Sequence, residues 1–196
     1  MTALKTLLAS AALVASVASA NAATYFADTV EEANYGICTG TVRACTADDR
    51  QNLANAVDGN ASTFYALGLG GSLLVSFSQI MGNIMPGTVS VFEITFNRLV
   101  GHDEAADVFA VDADGNESLL GRITNAVGGN SVLAGSPFRQ LRLVDVTREQ
   151  FPDTTSFDGY DVAQISVAPV PLPAAGLMLL GGLGGLAALR RRKKAV

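Results

Sequence analysis

Apolar and polar residues alternate along several short stretches between about residue 70 and residue 170. Residues 89–96 read Val-Ser-Val-Phe-Glu-Ile-Thr-Phe, and residues 138–146 alternate in a similar way. A period of two is typical of strands that have one face in a core and the other in solvent. The pattern predicts six or seven short strands, six of which lie at residues 72–77, 89–96, 107–111, 118–123, 138–146 and 161–167.

Turn-forming residues separate the predicted strands. Asp114 and Gly115 lie between two of them, and glycine tolerates the positive φ of a tight hairpin. The spacing of Asp112, Asp114 and Asn116 also resembles the start of an EF-hand loop, but the glycine stands at the fourth place and no glutamate closes the loop. We interpret the segment as a hairpin turn. Short strands joined by Gly- and Asn-rich turns predict an all-β fold, an antiparallel β-sandwich or jelly roll.

The first 22 residues have the features of a secretory signal peptide. Lys5 supplies a positive charge, an Ala- and Leu-rich run follows, and Ala20-Asn21-Ala22 forms a cleavage site of small residues. The alternative is an N-terminal anchor helix, although the run is short for a membrane span of about 20 residues. We therefore expect residues 1–22 to be a cleaved signal peptide that precedes an exported ectodomain at residues 23–168.

Residues 169–196 have the features of a second targeting segment. Val170, Pro171, Leu172, Pro173 and Ala174 precede an apolar Gly- and Leu-rich stretch, which ends in five basic residues. The stretch is long enough to cross a membrane, with the basic end in the cytoplasm.

The order of these three features resembles the PEP-CTERM class of sorting signals, in the variant whose motif is V-P-L-P-A. The resemblance implies processing by an exosortase-type transpeptidase after the helix has stood transiently in the inner membrane. It further implies a place in the cell envelope, at the cell surface or outside a Gram-negative bacterium that makes exopolysaccharide. A plain single-pass anchor is the alternative.

Charge is distributed unevenly along the chain. All 18 acidic residues lie between Asp28 and Asp161, where seven arginines and no lysine accompany them. Such a domain repels nucleic-acid phosphates and suits divalent cations, so we expect no nucleic-acid partner.

Residues 54–65, Ala-Asn-Ala-Val-Asp-Gly-Asn-Ala-Ser-Thr-Phe-Tyr, are similar to the opening A-x-D-G-N-x-x-T-x-W of the galactose-binding-like, or discoidin-type, jelly roll. Residues 67–77 and 157–162 fit later strands of that family, while Phe64 and Tyr65 stand in place of its tryptophan. The resemblance implies a carbohydrate-binding-like domain.

The same opening segment is a candidate calcium site. Asp58, Asn60 and Thr63 bring hard oxygen donors to one turn, as calcium requires. In the family that the chain resembles, an acid from the last strand often joins such a structural Ca²⁺, and Asp161 or Asp158 would take that place here. The alternative is an Asx-type turn without a metal.

Cys38 and Cys45 are the two cysteines of the chain. A close pair in an exported domain predicts a disulfide that closes a small loop. A redox or metal pair is the alternative, but the spacing is not C-x-x-C and a single histidine makes a poor zinc set.

Loops at one end of the sandwich are the expected place for a glycan ligand. Tyr65, Arg139 and Tyr160 are candidate contacts, and each is as consistent with a packing role. His102, the one histidine, is interpreted as a solvated loop residue.

We expect a non-catalytic surface or matrix protein, because the chain has no G-x-S-x-G elbow, no H-E-x-x-H and no lysine in its predicted ectodomain. One alternative is a small glycan hydrolase or lyase with two carboxyl groups across a cleft. Another is a structural protein that self-associates.

Deletion of residues 170–196 tests whether the predicted sorting segment retains the protein in the cell. We expect the shortened chain to leave the cell as soluble protein, because the apolar stretch and its basic end are what would hold it in the membrane. Fractionation of culture medium and cells measures this. A shortened chain that stays cell-bound would show that the tail is not the retention signal.

Overall fold

The computed structural model describes residues 23–94 and 100–170. The strands in these residues form two antiparallel sheets. The first sheet contains, in spatial order, β1 (Tyr25–Phe26), β10 (Asp161–Pro169), β5 (Gly87–Glu93) and β8 (Ser131–Ala134), and β3 (Tyr65–Ala66) also pairs with β10. The second sheet has the order β2 (Thr29–Asn34), β4 (Ser72–Ser76), β9 (Gln140–Asp145), β6 (Ala105–Val111) and β7 (Glu117–Thr124). Short helices lie at Val42–Cys45, Asp48–Gln51 and Thr147–Gln150, with a 3₁₀ turn at Leu53–Ala56.

The alternating residues form the core between the sheets. In the second sheet Leu73, Leu143 and Val108 lie side by side on β4, β9 and β6, and all three are fully buried. In the first sheet Val91 of β5 lies opposite Ile165 of β10, and both are again fully buried. Burial of these apolar side chains is the main favourable term in the folding of such a sandwich.

The predicted all-β antiparallel sandwich is confirmed, and a strand is present at each of the six predicted places, although residues 95 and 96 of the second lie outside the described residues. The hairpin is confirmed too: β6 pairs with β7, and Gly115 has a φ of 84° in the turn between them. Four further strands of the described residues were not predicted, because they are very short or polar: β1, β2, β3 and β8.

The predicted disulfide between Cys38 and Cys45 is present. It closes a loop that contains the helix Val42–Cys45, which Thr41 caps by accepting a hydrogen bond from the N–H of Ala44 at 3.2 Å. The loop is joined to the rest of the domain through the N–H of Thr39, which donates to the carbonyl of Phe157 at 2.8 Å.

The expected signal peptide at residues 1–22 and most of the expected sorting signal lie outside the described residues. Val170 is the one residue of the sorting motif inside them, and its N–H donates to the carbonyl of Pro86 at 2.9 Å. In the described part of the chain no helix has both the length and the apolarity needed to cross a membrane. The processing of both ends therefore stays a prediction.

Replacement of both Cys38 and Cys45 by serine should lower the free energy of unfolding by about 2–3 kcal/mol, because the cross-link restricts the unfolded chain. Thermal or denaturant unfolding measures this. A reductant should destabilise the native chain and leave the double variant unchanged. Equal stability of the two proteins under oxidising conditions would contradict the expectation.

Candidate functional site

Acidic side chains gather at one end of the sandwich, where β5 and β9 end and β6 and β10 begin. Glu104, Asp145, Asp158 and Asp161 are buried there, and Glu93 is half-buried. We call these five residues the acidic end. Charged side chains are rarely buried without partners, so the contacts of each one show what it does.

Asp145, the last residue of β9, accepts four hydrogen bonds. Its Oδ1 accepts from the N–H groups of Gly70 at 2.9 Å and Thr147 at 3.3 Å. Its Oδ2 accepts from the hydroxyl of Thr147 at 2.6 Å and the N–H of Tyr160 at 2.9 Å. One carboxylate therefore joins the loops that lead into β4 and β10 to the start of the helix Thr147–Gln150.

Asp158 forms a part-buried ion pair with Arg50. The guanidinium of Arg50 lies over the rings of Phe64 and Phe157, with its carbon 5.4 and 5.0 Å from the two ring centres. Such stacking favours a cation at a site with little water. Burial nevertheless raises the pKa of Asp158 above its ordinary value, because desolvation outweighs the attraction of Arg50.

Glu104 connects the loop before β6 to the loop before β10. Its Oε1 lies 3.0 Å from Nε2 of His102 and accepts from the hydroxyl of Ser156 at 2.8 Å. This contact with Glu104 raises the pKa of His102. The interpretation of His102 as a solvated loop residue is wrong, because its side chain is only 13% exposed and is paired with a buried acid.

Glu93, Glu104 and Asp161 form the innermost part of the acidic end. One carboxylate oxygen from each lies within 4.8 Å of those of the other two. Burial, and then the charges of Glu104 and Asp158, raise the pKa of Asp161 well above its ordinary value. Burial raises the pKa of Tyr160 as well, together with the charges of Glu93, Glu104 and Asp161.

An open groove of about 550 Å³ lies beside this cluster. Glu93 is shared by the groove and the cluster. Phe92, whose side chain points away from the core, is 48% exposed and lines the groove. The other walls come from the turn that contains Ser62 and from the loop between β7 and β8, residues 125–130.

The predicted calcium residues fall into two places. Asp58, Asn60 and Thr63 share an exposed turn, in which Asp58 accepts from the N–H of Asn60 at 2.7 Å and from the hydroxyl of Thr63 at 2.7 Å. Asp161 lies in the buried cluster instead, and the β10 side chain that reaches the turn is Gln164, whose amide donates to the carbonyl of Gly59 at 3.1 Å. The turn thus has the hydrogen bonds of an Asx turn, and calcium binding there stays a prediction.

The predicted ligand contacts are also separated. Tyr65 and Tyr160 are core residues whose rings have no exposed face. Arg139 is exposed, donates to Oδ1 of Asn83 at 3.1 Å, and lines a second groove together with Asp112. The structure therefore does not bring the three together at a common surface.

Sequence reasoning missed the roles of Glu93 and Asp145, although a signal for both exists. Val89 and Val91 face the core on β5, and Glu93 occupies the next inward position. Leu141 and Leu143 of β9 are likewise followed inward by Asp145. An acid that continues the apolar face of a strand at its end indicates a buried polar site.

Comparison with known proteins finds similar solved structures only. No family model matches the chain, and no curated protein matches its sequence. The family 32 CBM of C. perfringens NanJ, solved with galactose, is 18% identical with a TM-score of 0.40, over 58% of this chain and 82% of that one. The CBM32 of AlyQ, solved with 4,5-unsaturated mannuronic acid, is 11% identical with a TM-score of 0.45, over 72% and 96%. The family 32 carbohydrate-binding module of Streptococcus pneumoniae EndoD is 12% identical with a TM-score of 0.46, over 72% and 95%.

All three of these similar structures are carbohydrate-binding modules. At TM-scores below 0.5 they establish neither a family nor a ligand for this chain. The residues of the acidic end and of the groove therefore have to be interpreted from their own geometry.

Asp145→Asn should lower the free energy of unfolding by about 3 kcal/mol or more, because the amide group replaces an acceptor that buried donors need. Chemical denaturation measures the loss. Asp112→Asn is the matched control, since this carboxylate also accepts backbone N–H groups but lies at the surface. A loss for Asp145→Asn no larger than for the control would contradict the assigned role.

Proposed function

We propose that this chain is an exported, non-catalytic surface or matrix protein that binds polysaccharide in the groove beside Phe92. The observation that carries the proposal is an exposed aromatic ring in an open groove at one end of a β-sandwich. An aromatic face offers apolar surface to the C–H groups of a sugar ring, and polar groups around it can bond the hydroxyls.

The rim of the groove supplies such polar groups. Ser62 and Asn130 lie along it on the turn and the loop opposite Phe92. Asn125 also lines the groove, and its side chain has a structural role. Its amide nitrogen donates to the carbonyl of His102 at 2.9 Å, and its amide oxygen accepts from the N–H of Glu104 at 3.1 Å. The loop between β7 and β8 is thereby held against the acidic end, which gives the groove a defined wall.

Export is the second part of the proposal and depends on the ends of the sequence. A signal peptide at residues 1–22 and a V-P-L-P-A sorting segment would send the domain out of the cell, with an exosortase-type enzyme as the processing partner. The sugar-binding domain would then meet exopolysaccharide at the cell surface. This places Phe92 in the same compartment as its proposed ligand.

Phe92→Ala should weaken binding to the host's own exopolysaccharide by about tenfold or more, because burial of a phenylalanine side chain contributes roughly 1.5–3 kcal/mol. Affinity electrophoresis or calorimetry measures this, with galactose and 4,5-unsaturated mannuronic acid as additional probes. Leu119→Ala is the control, since Leu119 is also an exposed apolar residue and lies on the other sheet. Unchanged binding by Phe92→Ala, or equal loss in both variants, would contradict the proposal.

A glycan hydrolase or lyase is the second candidate, favoured by one observation: Glu93 lines the groove within 4.8 Å of two further carboxylates. Against it, Glu104 and Asp161 are buried behind Glu93 rather than facing the groove from the opposite side. Incubation with the same polysaccharide distinguishes the two. Release of new reducing or unsaturated ends that is lost in Glu93→Gln would favour the enzyme.

A further inference from the structure

Three chain segments bring carboxylates to one buried point between the sheets. Glu93 ends β5, Asp161 begins β10 beside it, and Glu104 immediately precedes β6 of the other sheet. Their oxygens lie within 4.8 Å of one another, while Glu104 is 0% and Asp161 4% exposed. Like charges at such distances and with so little water repel strongly, and a bound cation would relieve this repulsion.

Two cations of the described residues lie near the cluster. Arg50 pairs with Asp158, and His102 contacts only the Oε1 atom of Glu104, which Ser156 also donates to. Oε2 of Glu104 and Oδ1 of Asp161 are buried and have no hydrogen-bond partner among the residues that the structure describes. Two carboxylate oxygens of the cluster residues are therefore buried without a hydrogen-bond donor from the described part of the chain.

Tyr160 provides an independent observation. Its hydroxyl is fully buried and has no hydrogen-bond partner within the described ranges 23–94 and 100–170. Tyr160 directly precedes Asp161, the first residue of β10, so this hydroxyl belongs to the same chain segment as one of the three carboxylates. A polar group that is buried and unsatisfied costs free energy, and several at one point indicate that a ligand completes the site.

We propose that Glu93, Glu104 and Asp161 bind a divalent cation of the calcium type, distinct from the ion expected at the exposed turn of Asp58. All three ligands are carboxylate oxygens, which suit hard cations rather than zinc or copper. Oxygens on opposite sides of Ca²⁺ stand about 4.6–5.2 Å apart, twice the usual Ca–O distance. A spread within 4.8 Å therefore fits one calcium coordination sphere.

The proposed ion links the two sheets at the groove. Glu93 and Asp161 belong to the first sheet and Glu104 leads into the second, so a shared cation fastens β5, β10 and β6 together. Glu93 also lines the groove, which means that the ion fixes one of its walls. This inference is independent of the proposed polysaccharide binding, because it depends only on the buried carboxylates.

The test measures calcium binding by the full-length chain, purified in mild detergent and stripped with chelator. Equilibrium dialysis gives the amount of bound Ca²⁺, and thermal unfolding with millimolar Ca²⁺ or with EDTA gives the stabilisation that a ligand of the native state must produce. The two cluster variants, Glu93→Gln and Asp161→Asn, are made in a chain that also carries Asp58→Asn, so that the exposed turn cannot account for the bound ion. The chain with Asp58→Asn alone is the matched control. Glu93 is half-buried, so its variant keeps the test valid even if Asp161→Asn fails to fold.

We expect the native chain and Asp58→Asn to bind Ca²⁺ and to unfold at higher temperature in its presence. The two cluster variants should bind Ca²⁺ at least tenfold more weakly than Asp58→Asn alone and should lose the increase in melting temperature. Absence of calcium binding by the native chain overturns the proposal. So does binding that both cluster variants retain, or an increase in the melting temperature of Asp161→Asn with no calcium response in any variant, since the cluster would then hold a proton instead.

Discussion

The carboxylate of Asp145 determines how the loops at the acidic end are arranged. It accepts hydrogen bonds from Gly70 and Tyr160, which lie on the loops before β4 and β10, and from Thr147 at the start of a helix. A single charged acceptor satisfies donors that would otherwise be buried without partners, and in a low-dielectric interior such bonds reinforce one another. Asp158 and Asp161 lie close to Tyr160 in the chain, so this contact also helps to hold the segment that carries them.

Gly159 shows how closely the chain approaches this carboxylate. It has a φ of 72°, and a Cβ atom at this position would lie 2.6 Å from Oδ2 of Asp145. A side chain here would meet both an unfavourable backbone conformation and a steric clash. The residue type at position 159 is thus dictated by the hydrogen bonds that Asp145 makes with the next residue, Tyr160.

Composition alone overstates how acidic the surface is. The sequence places 18 acids against seven arginines between Asp28 and Asp161, which suggests a strongly negative exterior. In the structure Glu104, Asp145, Asp158 and Asp161 lie inside, where they act on hydrogen bonding and on one another rather than on solvent. Part of the charge is therefore an internal feature of the fold, and only the remainder bears on approaching partners.

The sheets could be predicted from sequence because alternation directly reports which side of a strand is buried. Leu141 and Leu143 of β9 behave as their spacing indicates. The positions of Tyr65 and Tyr160 could not be predicted in this way, because each lies next to a loop and the choice between core and surface depends on strand pairing. Asp161 illustrates the same limit: its partners, Glu93 and Glu104, lie more than 50 residues away in the chain.

The position of β10 in its sheet has a consequence for the order in which the fold can form. This strand pairs with β1, β3 and β5, yet it is the last strand of the described chain. When a polypeptide emerges N-terminus first, β1 and β5 are present before β10, the strand that lies between them. The first sheet therefore cannot be completed until β10 has emerged. Vectorial synthesis or translocation thus keeps the domain open almost to its end, and closure then occurs in one late step that brings distant segments together.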